Sequence, residues 1–151
     1  SGLLAMPSQS SITNQKLYQS RLLMSLASSS QGAEVKALED GAVGHLYGAW
    51  CSYLLELAEN YKKSVPPQGC DLQLLSQLLP GVQEVAEFEV LLEDKSSWLS
   101  RLLLAYSQQL SAAGHMPRRH IIGVNLDASV VTWLELFEQV IELQRENRQE
   151  F

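Results

Sequence analysis

Apolar residues recur every three or four positions through most of this chain, the spacing that lines one face of a helix. The pattern predicts a first helix with Thr13 as N-cap and Ile12 and Leu17 as a hydrophobic staple around it. Tyr18, Leu22 and Leu26 continue it, and "SSSQG" ends it. A long second helix follows, about Ala33 to Lys62, with Val35, Leu38, Ala42, Leu46, Ala49, Tyr53 and Leu57 in register. The "SVPPQGC" stretch breaks it, because Pro66 and Pro67 disfavour helix at and before them.

Asp71 is placed to cap a short helix carrying Leu72, Leu75, Leu78 and Leu79. Pro80-Gly81 then separates or kinks it from an acidic helix over Val82 to Asp94, with Val85, Phe88 and Leu92 inward. Ser96 or Ser97 caps the next helix, whose inward positions are Leu99, Leu102, Leu103, Tyr106 and Leu110. A long connection over residues 112–129 leads to a last helix capped by Asp127 or Ser129, with Trp133, Phe137, Val140 and Ile141 on its apolar side. Glu135, Glu138, Glu142, Glu146 and Gln149 fall within an arc of roughly 80° on the other side, a solvated face or a strip for a basic partner. "HIIGVNL" could extend, yet one strand has nothing to pair with. The expected fold is all-α, an up-and-down bundle of four to five helices, one segmented near Pro80. Residues 1–11 are expected to be a loose segment, with Ser1-Gly2 a cloning remnant and Met6 the native start; residues 12–151 form one domain.

Composition narrows the function classes. In a chain of 151 residues, 46% apolar content suffices for one sizeable core. The net charge of −6 argues against nucleic acid or an anionic membrane surface as partner, since phosphates need a clustered positive field. The longest apolar stretch, Ala42 to Ala58, is interrupted by His45, Ser52 and Glu56 and is too polar to span a bilayer. Cys51 and Cys70 form no CxxC and read as free thiols in a reducing, cytoplasmic setting. No secretory signal is expected, since "SGLLAMPSQSS" lacks a basic n-region and a long apolar core.

Catalytic patterns are not found. His45, His115 and His120 have no acidic residue three positions before them, so no Glu-x-x-His metal pair exists. No nucleophile elbow, phosphate loop or dinucleotide fingerprint occurs. The expectation is no catalytic set, no metal and no cofactor. Arg118, Arg119 and His120 make the one basic cluster, able to grip a phosphate or carboxylate, or simply to pair with acidic helices. It is too small for nucleic-acid affinity.

The segment "GAVGHLYGAWCS" carries three glycines inside the second helix, each costing about 1 kcal/mol relative to alanine. On a wheel, Gly41, Gly44, Gly48 and Ser52 fall within about 60° of one another, with His45 at the border. Two readings follow. In one, a neighbouring helix or a ring such as Trp98 or Trp133 lies on the bare backbone. In the other, the line is a shallow groove for a ligand or partner helix, with Tyr47 or Trp50 near its edge.

The segments "TNQKLYQSRLLMSLA", "HLYGAWCSYLLELAENY", "SSWLSRLLLAY" and "ELQRENRQEF" resemble a family of small uncharacterised helical proteins from pseudomonads and related gammaproteobacteria, a domain of unknown function. The resemblance covers residues 12–151 and is most specific at Asn14–Tyr18 and His45–Ala49. It implies a bacterial cytosolic helical protein and no particular chemistry. It makes Lys16, Tyr18, His45 and Tyr47 the first positions to test. The leading expectation is a non-enzymatic interaction module that binds a protein partner or itself. The alternatives are a small-ligand-binding bundle near His45 and the glycine line, and weak RNA or nucleotide contact through Arg118 and Arg119.

Overall fold

A computed structural model describes residues 7–112 and 126–149. Among the described residues it holds six helices: α1 Gln9–Ala27, α2 Ala33–Asn60, α3 Leu72–Leu78, α4 Gln83–Glu93, α5 Trp98–Ala112 and α6 Leu126–Gln149. The fold is all-α, with more helices than the pattern predicts because Pro80-Gly81 fully separates α3 from α4. Gly81 takes a φ of +80°, open to glycine and strained for other residues.

The helix ends follow local chemistry. Asp71 caps α3 as expected, its carboxylate accepting the Leu74 amide at 2.8 Å. Ser97 rather than Ser96 caps α5, accepting the Ser100 amide at 3.1 Å. The predicted cap of α1 is wrong. Ser8 caps it, accepting the Ser11 amide at 3.1 Å. Residues 9–11 are therefore helical rather than loose. Thr13 is buried inside α1, bonded to the Gln9 carbonyl at 3.0 Å and to the Ser52 hydroxyl at 2.8 Å. The α6 helix already runs at Leu126, so Asp127 and Ser129 lie within it rather than cap it. At the C-terminal end of α2, Lys62 is left-handed with φ +57°, and the Lys63 amide reaches back to the Ala58 carbonyl at 2.8 Å. That is a Schellman ending with lysine where glycine is usual.

The central helix is α2, which packs on α1, α3, α5 and α6. Its buried residues run almost around the helix and include Leu46, Ala49, Trp50, Tyr53, Leu54 and Leu57. A helix apolar on most sides must be enclosed by others. The aromatic core closes around Phe137 of α6. Its ring centroid lies 5.1 Å from that of Trp98 and 6.1 Å from that of Tyr53. Trp50 meets Phe88 edge-on at 4.9 Å. Offset and edge-on pairs of this kind add about 1 kcal/mol each beyond the area they bury. Leu110, expected inward, is 64% exposed. Among the described residues no helix is long and apolar enough to cross a membrane.

Candidate functional site

The glycine line on α2 lies under α1. A Cβ at Gly41 would stand 3.0 Å from Leu23 Cδ1, and one at Gly48 would stand 3.4 Å from the aliphatic stem of Lys16. Ser52 ends the line, its hydroxyl shared with Thr13 and receiving the Gln9 amide nitrogen at 2.8 Å. Between them Ser20 donates to the Ala42 carbonyl at 2.9 Å. The covering element is therefore α1; Trp98 and Trp133 pack elsewhere in the core. Small residues let the two backbones approach closely, and side-chain contact offsets the helix-propensity cost. Of the three glycines on the line, Gly44 is the one whose Cβ position has nothing within 4 Å.

His45 is half-buried beside this seam. Burial first, and the Lys16 ammonium second, pull its pKa below the usual histidine value. The structure thus brings Gly41, Gly48 and Ser52 together under α1, leaves Gly44 open, and keeps His45 at the border. Tyr47 and Trp50 do not edge this seam. They line the α3–α5 side of α2, where Tyr47 stacks on Tyr106 of α5. Arg118, Arg119 and His120, with His115, lie outside the described residues.

With α1 seated through Thr13, Leu17, Ser20, Met24 and Ala27, three large apolar side chains remain on its outer side among polar ones. Tyr18, Leu22 and Leu26 stand one turn apart and are 64%, 46% and 48% exposed. Three large apolar side chains in line on one helix are more than the scattered singles of an ordinary surface. The α1 helix carries Lys16 and Arg21 and no acidic residue. Beside it, Arg21 pairs with Glu138 of α6, the one half-buried member of the acidic stripe. Glu135, Glu142, Glu146 and Gln149 are exposed.

The other end of α6 holds a polar cluster that the sequence reading missed. Glu56 is 4% exposed and receives Arg145 through Nε and Nη2. Arg145 also donates to Asn14 of α1 at 2.8 Å. Arg148 donates from Nη1 to the Tyr53 hydroxyl and to Glu84, each at 3.0 Å. The Tyr53 hydroxyl donates to Gln144 at 2.6 Å, and Gln144 donates to Glu87 at 2.9 Å. Tyr61 donates to Glu84 at 2.8 Å. Burial pushes the Tyr53 hydroxyl up to about 12, so it stays protonated at neutral pH. Carboxylates and guanidiniums thus satisfy one another, and the cluster acts as a clamp holding α6 to α1, α2 and α4. The signal was present: beyond Phe137 and Ile141, helical spacing reaches Gln144, Arg145 and Arg148, so the buried face of α6 turns polar without leaving the interior. Among the described residues no group of three His, Cys, Asp or Glu side chains could hold a metal ion.

A family model described as "Family of unknown function (DUF6586)" matches residues 6–151, and the chain belongs to that family. No curated protein and no solved structure matches it.

Proposed function

For this member of a family with no assigned activity, we propose a non-enzymatic helical interaction module that self-associates through the outer face of α1. One observation carries the reading: Tyr18, Leu22 and Leu26 form an exposed apolar line on a helix already seated in its own bundle. Charge supports a second copy as occupant. The α1 helix is basic and free of acid, whereas the neighbouring outer face of α6 presents Glu135, Glu142 and Glu146 together with exposed Leu136 and Leu143. A two-fold axis parallel to the helices would lay α1 of each copy along α6 of the other. Apolar residues would then meet apolar ones, and no acidic side chain of α1 would oppose the carboxylates of α6, the self-complementarity that a two-fold interface needs. The proposal places the protein in the cytoplasm, where the free thiols Cys51 and Cys70 stay reduced.

Light scattering across low to high micromolar concentration tests this. The expected result is a dimer that falls to a monomer in Leu22→Glu/Leu26→Glu, with the melting transition retained. A wild-type chain that stays monomeric throughout overturns the proposal.

A further inference from the structure

A second surface, remote from α1, has the makings of a small-molecule site. Between α3 and α5, beside Tyr47 and Trp50 of α2, lies an open groove of about 420 Å³. That is within the size range of small-ligand pockets. Its wall contains the Tyr47–Tyr106 pair, stacked face to face with centroids 3.9 Å apart and planes 6° from parallel. Trp50 contributes a further ring, fixed edge-on against Phe88. Leu103 and the exposed Leu110 extend the apolar surface along α5. Leu110 sits on the same arc as Leu99, Leu103 and Tyr106, so its exposure follows from the space in front of it.

Among the described residues that line this groove, Asp71 is the only charged one. One of its oxygens caps α3 through the Leu74 amide. A carboxylate offers about four acceptor positions, so capping leaves capacity for a ligand. The two tyrosine rings cover one face of each other, so a cation is attracted to an outer face of the pair, and the exposed Asp71 carboxylate beside it adds to that attraction. An anionic ligand would meet Asp71 without any compensating cation in the lining.

We propose that this groove binds an organic ammonium compound, its alkyl or aryl body against Trp50, Leu103 and Leu110 and its cationic nitrogen between the tyrosine pair and Asp71. The rings are positioned by the core before any ligand arrives, so little ordering entropy opposes binding. The site is independent of the α1 surface, because it uses no residue of α1.

The test is calorimetric titration of the full chain with benzyltrimethylammonium, benzyl alcohol and benzoate, with the Trp50 indole signal followed by NMR. Expected is saturable one-to-one binding of the cation that shifts the Trp50 signal, with the alcohol about tenfold weaker and benzoate not binding. Asp71→Asn retains a good cap and so retains α3, and it is expected to weaken the cation about tenfold. Leu110→Ala changes an exposed position that folding does not need, and is expected to weaken all ligands that bind. The proposal is overturned if no probe saturates, if benzoate binds as well as the cation, or if Asp71→Asn leaves the affinity for the cation unchanged.

Discussion

Arg145 grips Glu56 along both edges of its carboxylate, Nε to Oε1 at 2.8 Å and Nη2 to Oε2 at 2.9 Å. The pair ties the end of α6 to the middle of the bundle, where Glu56 is nearly sealed from water. Removing one partner of a buried pair leaves the other charge uncompensated. Arg145→Met is therefore expected to cost about 3 kcal/mol in urea unfolding, because it strands the buried Glu56 carboxylate, and Glu56→Gln less, because the Arg145 left behind keeps 23% of its side chain exposed. The double variant is expected to lose less than the two single losses added together, as a double-mutant cycle would record.

Tyr53→Phe deletes a buried hydroxyl that donates to Gln144 and accepts from Arg148. Gln144, 2% exposed, loses its donor, while Arg148 keeps its bond to Glu84. A loss of about 2 kcal/mol is expected by thermal or chemical unfolding.

The glycines separate by what stands over them. Gly44→Ala adds a methyl group to open space and removes a helix-propensity penalty, so a gain of about 1 kcal/mol is expected. Gly41→Leu drives a large side chain into Leu23, with an expected loss of about 2 kcal/mol from overpacking. Melting curves of the two variants should move in opposite directions.

Lys62 holds a left-handed conformation that disfavours any residue with a Cβ. Lys62→Gly relieves it while keeping the Schellman bonds, and a stabilisation of about 1 kcal/mol is expected. Urea unfolding midpoints would show it.

His45 has a folded pKa below its unfolded value, pulled down by burial first and by Lys16 second. The unfolded chain therefore takes up this proton first as pH falls. The contribution of His45 to stability is complete above its unfolded pKa and is lost as pH falls below it. An NMR titration is expected to place His45 below the usual histidine value, and Lys16→Gln is expected to move it upward. An unchanged titration in that variant would show that Lys16 does not act on the ring.

The sequence by itself determined the helical class, the extent of α2, the break at Pro66-Pro67, the Asp71 cap and the acidic stripe along α6. These rest on local facts: a 3.6-residue repeat, a ring without an N–H, a carboxylate within reach of a nearby amide. The line of bare backbone from Gly41 to Ser52 was equally legible, since a wheel needs only the helical angle. Which element covers that line was not, because a wheel gives a direction and not a neighbour. Only the tertiary structure set α1 on Gly41 and Gly48 through Leu23 and Lys16. It also showed that Thr13 lies inside α1, because its partner Ser52 comes from another helix. The Glu56–Arg145–Arg148 clamp and the groove beside Asp71 join residues far apart in the chain. Their chemistry exists only where helix packing brings opposite charges, or rings and a carboxylate, within a few ångströms.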